Sequence, residues 1–236
     1  MQNEPQHTSK QYDAELEQIR KEVVAMGSMV ERQLVRAVEA LKRQDAELAE
    51  RVITGEIEVN RKELLIDELC TTLIARRQPE ANDLRLVMMV MKTITDLERI
   101  GDEAKKIALV TRNMLGPIRR LPMRISDLGT ISDVTVAMLR RSLDLFASLD
   151  VKAALEVARQ DLEIDEYFQA ILRQLLTYMI EDPRTISASL DIIFIAKSLE
   201  RVGDHSKNIS EYVVYLIKGK DVRHMSLEEF EQAVQS

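Results

Sequence analysis

The chain has 236 residues, of which 45% are hydrophobic and 31% are charged, a balance typical of a soluble globular protein with enough apolar side chains for a core. Only 7 glycines and 5 prolines are present and aromatic residues make up 4%, which predicts long helices joined by few turns. The net charge of −7 argues against a nonspecific nucleic-acid-binding protein, because such a protein needs a basic face for the phosphates.

Two further features bear on the place of the protein in the cell. Cys70 is the single cysteine, which excludes an intrachain disulfide and is consistent with a reducing compartment. The apolar stretches are far shorter than the roughly 20 residues that a membrane span requires, and no signal-peptide pattern follows the polar residues 1–10. We therefore expect a cytoplasmic protein that comes near a membrane only through a partner.

Three helices are predicted in the first half of the chain. Apolar residues at three- and four-residue steps predict the first helix over residues 9–41. Asp45 is placed to cap the second helix, which extends to residue 77 and ends before Pro79. The third helix is predicted over residues 80–114, and Gly116-Pro117 ends it.

The same order of helices is predicted in the second half. The fourth helix covers residues 126–148, and Asp150 begins the fifth just as Asp45 begins the second. Pro183 begins the sixth helix, which extends to about residue 218. Ser226 opens a capping-box pattern, which predicts a short seventh helix in the C-terminal tail.

An internal repeat shows that the two halves are copies of one unit. The segment Leu-Glu-Arg-Ile-Gly-Asp-Glu-Ala-Lys-Lys-Ile at residues 97–107 recurs as Leu-Glu-Arg-Val-Gly-Asp-His-Ser-Lys-Asn-Ile at residues 199–209, with seven of eleven positions identical. We therefore predict an all-α fold, a tandem duplication of a three-helix bundle with six long antiparallel helices. The predicted domains are residues 9–115 and 116–220, with tails at residues 1–8 and 221–236.

Each copy of the repeat carries a glycine inside a predicted helix, Gly101 in the first and Gly203 in the second. Glycine in a helix interior costs about 1 kcal/mol relative to alanine. Its presence in both copies predicts the close approach of a neighbouring helix or of a ligand.

Each copy also carries two carboxylates one helical turn apart. Glu98 and Asp102 border the apolar stripe of the third helix, at about 100° of rotation per residue. Glu200 and Asp204 repeat this arrangement on the sixth helix. Like charges at i and i+4 repel by about a few tenths of a kcal/mol, so we expect a positive group nearby.

The second helix of each half supplies further polar side chains. Glu56 and Asn60 on the second helix align with Asp161 and Asp165 on the fifth. Asn60 lies between Ile57 and Leu64, and the matching buried face of the fifth helix is predicted to contain Leu155, Ala158, Leu162, Asp165, Gln169, Leu172 and Leu176.

A carboxylate on a buried helix face is costly unless it is paired or bound to a metal ion. Facing helices of the pattern Glu/Asp-x-x-x-Asp offer several oxygen ligands, which suit cations such as Mg, Mn, Fe or Zn. Isolated acidic pairs are common in a chain with 40 acidic residues, so surface salt bridges remain the alternative to metal. The candidate metal ligands are Glu98, Asp102, Glu200, Asp204, Asp161, Asp165, Glu56 and Asn60.

The two Leu-Glu-Arg-(Ile/Val)-Gly-Asp segments, one in each half of a six-helix duplication, resemble the PhoU family of phosphate-specific transport accessory proteins. The resemblance covers residues 9–220. It implies a homodimeric cytoplasmic regulator that keeps the phosphate regulon off when phosphate is plentiful. It also implies a link between the ATPase subunit of the phosphate ABC transporter and a sensor histidine kinase, and metal at the Glu/Asp-x-x-x-Asp motifs. Glu56 and Asn60 match that motif only in part, because Asn60 stands where the motif has an aspartate.

Two other classes of function stay open at this point. A metal-dependent enzyme would need an open coordination position and a positioned base, and no nucleophile or base stands out in the sequence. A helical scaffold without metal would keep its partner binding after the motif carboxylates are changed. We expect a protein that is not an enzyme.

Overall fold

The structure is a computed structural model that describes residues 10–114, 123–223 and 225–235. These residues form seven α-helices and no β-strand. The predicted all-α fold with six long helices is therefore confirmed, together with the short helix in the tail. The helices are α1 (Lys10–Arg43), α2 (Ala46–Arg77), α3 (Ala81–Met114), α4 (Gly129–Ser148), α5 (Ala154–Glu181), α6 (Ile186–Lys218) and α7 (Leu227–Gln235).

Short polar side chains begin several helices, as the sequence predicts. Asp45 Oδ1 accepts a hydrogen bond from the Leu48 backbone N–H at 2.9 Å, which satisfies one donor that the first turn of α2 leaves free. Asp150 and Asp182 cap single-turn 3₁₀ helices that precede α5 and α6. Ser226 and Glu229 bond reciprocally at the start of α7.

Two predicted features fall where the structure gives no description. The N-terminal tail at residues 1–8 and the boundary between the halves at residues 115–116 lie outside the described residues. The fourth helix begins at Gly129, three residues later than predicted, because Ile125–Leu128 form a 3₁₀ helix first. In the described part of the chain, no helix has the length and apolarity needed to cross a membrane.

The two halves meet through two antiparallel helix pairs. Helices α3 and α6 make the most extensive helix–helix contact of the molecule, and α1 packs on α4. Along α3, Lys92 lies beside Tyr212, Asp96 beside His205, and Glu103 beside Arg201, so the partner number falls as the α3 number rises. The halves therefore lie side by side and share one continuous apolar core.

A polar network crosses the α3–α6 contact. Asp96 is 6% exposed, and its Oδ1 lies 2.7 Å from His205 Nδ1 and 3.2 Å from the Asn208 side-chain N–H that donates to it. Burial and a hydrogen bond to Asp96 raise the pKa of the Tyr212 hydroxyl. Buried charged groups need such partners, so this network fixes the register of the two halves.

The prediction of which face of α5 is buried is wrong. Leu162, Asp165 and Leu176 are exposed, and the face that packs on the core carries Ala154, Val157, Ala158, Asp161, Ile164, Ile171 and Leu175. The same error affects α2, where Ile57 and Leu64 are exposed. Both helices carry two overlapping apolar stripes, and the sequence pattern alone does not say which one faces the core. The buried carboxylate is consequently Glu56 on α2 and Asp161 on α5.

Candidate functional site

The eight predicted ligands gather in two places, each between the second and third helices of one half. We call Glu56, Asn60, Glu98 and Asp102 the first cluster, and Asp161, Asp165, Glu200 and Asp204 the second cluster. In each cluster the charges of neighbouring carboxylates act on one another's pKa, which shows that both helices contribute to one electrostatic site.

Glu56 is the buried member of the first cluster, and both of its carboxylate oxygens have partners. The Asn60 side-chain N–H donates to Oε1 at 2.7 Å, and Lys105 Nζ donates to Oε2 at 2.9 Å. The bond from Lys105 outweighs the effect of burial and holds the pKa of Glu56 below its usual value. Glu56 is therefore a stably ionised group held by its own chain.

Glu98 lies at the more exposed side of the first cluster. Burial and the charge of Asp102 raise its pKa, while Arg99, whose Nε lies 3.6 Å from Glu98 Oε2, opposes that shift. Glu63 on α2 adds a carboxylate that the sequence reasoning missed, and burial and Glu98 raise its pKa. This edge of the cluster carries an excess of negative charge.

Asp161 takes the place of Glu56 in the second cluster. It is 5% exposed, and Lys207 Nζ donates to its Oδ2 at 2.7 Å. Lys197 Nζ lies 2.5 Å from the carboxylate of Glu200 and 5.4 Å from the centre of the Phe168 ring. Two lysines thus face four carboxylates in the second cluster.

Burial and neighbouring carboxylates act together on two members of the second cluster. Asp204 is an exposed side chain in a crowded position, where desolvation of the carboxyl and then the charge of Glu200 raise its pKa to about 6. Desolvation and the charge of Asp161 raise the pKa of Asp165. Asp165 cannot donate a hydrogen bond to Asp161 as Asn60 does to Glu56, because an ionised carboxylate only accepts.

The internal glycines let the third helix of each half approach the second. A Cβ on Gly101 would lie 3.4 Å from Val59 Cγ1, and a Cβ on Gly203 would lie 3.1 Å from Ile164 Cδ1. The predicted close approach is therefore confirmed, with a neighbouring helix at both glycines. This approach brings the motif carboxylates of α3 and α6 next to Glu56 and Asp161.

Comparisons with known proteins place the chain in a family. A profile of the PhoU domain matches residues 23–111 and again residues 128–213. The chain belongs to the PhoU family. It is 46% identical over 226 residues to the "phosphate-specific transport system accessory protein PhoU" of Escherichia coli (strain K12), covering 96% of this chain and 93% of that protein.

Solved PhoU structures share the fold of this chain. A crystal structure of PhoU from Pseudomonas aeruginosa superposes with a TM-score of 0.86 at 43% identity, and the match covers 89% of this chain and all of that one. The phosphate transport system regulatory protein PhoU from Streptococcus pneumoniae gives a TM-score of 0.82 at 28% identity, covering 89% of this chain and 99% of that one. The tandem PhoU-domain architecture is thus shown by sequence and by structure.

The donor atoms of the two PhoU repeats suit a hard cation, but their arrangement does not gather them around one point. Within residues 10–114, 123–223 and 225–235, no group of three or more His, Cys, Asp or Glu side chains converges closely enough to hold a metal ion. In each repeat a lysine ammonium group already forms an ion pair with the buried carboxylate. The clusters are therefore built around a positive group that belongs to the chain itself.

Lys105 and Lys207 are the site residues that the sequence reasoning did not name. The expectation of a positive group near the motif carboxylates is confirmed by these two side chains. Both are identical positions of the repeated segment, three residues after Asp102 and Asp204. That identity was the available signal, since positions three and four residues apart share a helix face.

Proposed function

We propose that this protein is a regulatory accessory protein of a phosphate transport system and that it is not an enzyme. The match to proteins named for that role extends over nearly the whole chain and includes both PhoU domains. The site supports this role because each buried carboxylate is neutralised by a lysine and takes part in structure. Full-length similarity is the observation that carries the proposal.

In this proposal the protein keeps the phosphate-starvation response off when phosphate is abundant and modulates phosphate uptake. It does so in the cytoplasm by contacting the ATPase subunit of a phosphate ABC transporter and a sensor histidine kinase, and it reaches the membrane only through these partners. No nucleic acid is involved, which agrees with the net charge of −7.

The proposed active form is a homodimer. Large apolar side chains at the α5–α6 end of the molecule are exposed, among them Ile180 at 82% and Phe194 at 59%. Exposed large apolar side chains on neighbouring helices are candidates for contact with a protein partner. Light scattering of the wild type and of an Ile180→Glu variant tests this: a dimer that the variant converts to a monomer supports it, and a monomeric wild type contradicts it.

We further propose that the carboxylate clusters take up a divalent metal ion, of which Mg, Mn, Fe and Zn are the candidates. Oxygen donors from two facing helices support this assignment by their chemistry. Bound metal would supply positive charge between the second and third helices, where Glu98, Asp102, Glu200 and Asp204 face the buried carboxylates Glu56 and Asp161.

A phosphate-regulated reporter in the native host tests the regulatory role. Deletion of the gene should activate the reporter in phosphate-rich medium, and the wild-type gene should restore repression. An Ile217→Ser variant, changed at an exposed position near the end of α6, serves as the control and should also restore repression. A reporter that stays repressed after deletion would contradict the proposed function.

A further inference from the structure

Thr93 on α3 carries a buried hydroxyl group that has no hydrogen-bond partner among the described residues. Its side chain is 0% exposed. A threonine inside a helix commonly donates to the backbone carbonyl one turn earlier, as do Thr54, Thr95, Thr111 and Thr177. A buried hydroxyl without a partner costs free energy, so the exception at Thr93 calls for a physical reason.

Thr93 lines a cavity of about 320 Å³ that lies between the two halves. Val23 and Val24 of α1 and Leu143 and Phe146 of α4 contribute apolar side chains to its wall. Pockets that hold small molecules measure about 300–1,000 Å³ and combine apolar walls with a few polar groups. This cavity has both features, and the hydrogen-bonding capacity of one of its polar groups is unused.

The other polar groups of the cavity indicate the charge of a ligand. Arg140 Nε donates to Glu31 Oε1 at 2.6 Å, so these two charges offset each other. The Ser28 hydroxyl already donates to the Val24 carbonyl at 3.1 Å. Asp144 is an exposed carboxylate at the same cavity and disfavours an anion. An uncharged molecule therefore suits the lining best.

We propose that this cavity binds a small uncharged amphiphile, whose apolar body packs between α1 and α4 and whose hydroxyl group pairs with Thr93. Two hydroxyl groups can each donate to and accept from the other. In the second half the equivalent position is the buried Ile195, so the polar group belongs to this cavity and not to the repeat. Entry of the ligand requires a small shift of a wall side chain, because Thr93 is fully covered.

Such a ligand would touch both halves of the protein at once. The cavity is formed by α1 and α3 of the first half and by α4 of the second. A molecule that binds only the folded chain stabilises it, and here it would stabilise the packing of one half on the other. The inference goes beyond the proposed function and does not depend on it.

Titration of the purified full-length protein with 2-naphthol, followed by naphthol fluorescence, tests the inference. The chain has no tryptophan, so the probe can be excited selectively. The comparison probe is 2-methylnaphthalene, which has nearly the same shape but no hydroxyl group. Thr93→Val should lower the affinity for 2-naphthol by about tenfold and change that for 2-methylnaphthalene by about twofold or less, because only the hydrogen bond is lost.

The matched control is Thr95→Val on the same helix. Thr95 is exposed and its hydroxyl donates to the Met91 carbonyl at 3.1 Å, so this change should alter the affinity for neither probe. Thr93→Ser keeps the hydroxyl and should keep the affinity for 2-naphthol within about threefold. Ala147→Phe adds bulk to the cavity wall and should abolish the binding of both probes.

Thermal unfolding gives a second measurement. Without a ligand, Thr93→Val should melt at the temperature of the wild type or above it, because an unpartnered hydroxyl is replaced by a methyl group. Added 2-naphthol should raise the melting temperature of the wild type more than that of Thr93→Val. Thr93→Ala replaces the valine variant if that variant does not fold.

Four results would overturn the inference. The first is a wild type that binds neither probe up to the solubility limit, which would mean that the cavity holds only water. The second is an equal loss of both probes in Thr93→Val, which would reflect a change of shape. The third is unchanged binding in Ala147→Phe, which would place the probe elsewhere. The fourth is a Thr93→Val protein that melts well below the wild type, which would show that the hydroxyl has a partner within the fold.

Discussion

The two halves share a buried carboxylate held by lysine but differ in the residue one turn further along the second helix. In the first half this residue is Asn60, which donates to Glu56. In the second it is Asp165, whose pKa is raised by desolvation and by the charge of Asp161. The two clusters thus differ in the group one turn beyond the buried carboxylate, which is a neutral hydrogen-bond donor in the first cluster and a further carboxylate in the second.

The halves also differ where they meet. At equivalent positions, α3 presents Asp96 and Glu103 while α6 presents Ser198 and His205. Asp96 bonds with His205 across the contact, and the buried Glu103 lies 3.1 Å from Arg201 and 2.9 Å from Lys106. Asp96 faces position 205, which is the equivalent of Glu103, so a glutamate there would place two carboxylates together, whereas His205 provides a hydrogen-bond partner.

The largest expected effect is at this contact. Asp96→Ala should lower the free energy of unfolding by about 2–4 kcal/mol, because it strips buried partners from His205, Asn208 and Tyr212. The equivalent change Ser198→Ala should cost about 1 kcal/mol or less. Urea denaturation of both variants checks this. Equal losses in the two would show that the polar network does not set the contact between the halves.

The next effect concerns Glu211, whose equivalent in the first half is Leu109. Burial raises the pKa of Glu211 to about 7, and the charges of Asp161 and Asp221 add to that effect against Lys207 and Arg223. Because the pKa is higher in the folded state, the ionised form is disfavoured by folding. Stability should therefore fall as the pH rises from about 4.5 to about 7 and stay lower above that range.

Glu211→Gln removes this ionisation. It should raise the free energy of unfolding by about 1–3 kcal/mol near pH 8 and change it little near pH 4. Denaturation curves over this pH range, with the exposed Glu228→Gln as the control, measure the difference. A variant that is destabilised equally at both pH values would show that the interaction of Glu211 with Lys207 stabilises the fold more than the burial of its charge destabilises it.

Exchanging the residues that distinguish the clusters should produce opposite changes. Asn60→Asp should cost about 1 kcal/mol without metal, since it replaces a hydrogen bond to Glu56 by repulsion. Asp165→Asn should stabilise the protein by about a few tenths of a kcal/mol by the reverse change. Chemical denaturation in the presence of chelator measures both. Changes of the same sign would mean that the two clusters are not equivalent sites.

The smallest effect separates the two glycines. Gly101→Ala should stabilise the protein by up to about 1 kcal/mol, since its Cβ would meet Val59 and Gln33 at ordinary contact distances and helix propensity favours alanine. Gly203→Ala should gain less, because Ile164 must shift from 3.1 Å. Thermal melts of the two variants compare them. A larger gain at Gly203 would contradict the closer contact that a Cβ makes there than at Gly101.

The sequence determined the architecture because the signals for it are local and repeated. Three- and four-residue apolar steps, the caps at Asp45 and Asp150, and the breaks near Pro79 and Pro183 specify where helices begin and end, and neighbours along the chain settle these features. The repeat at residues 97–107 and 199–209 then specified the duplication and the pairing of carboxylates across it.

Only the tertiary structure decided which face of α2 and α5 is buried and what neutralises the acids. Each of these helices has two apolar stripes, and the buried one packs Val59 against Gly101 in the first half and Ile164 against Gly203 in the second. Because these stripes face the core, Glu56 on α2 and Asp161 on α5 are buried and Asp165 is exposed. The partners Lys105 and Lys207 lie 49 and 46 residues away from these carboxylates, a distance over which sequence periodicity carries no information about contact.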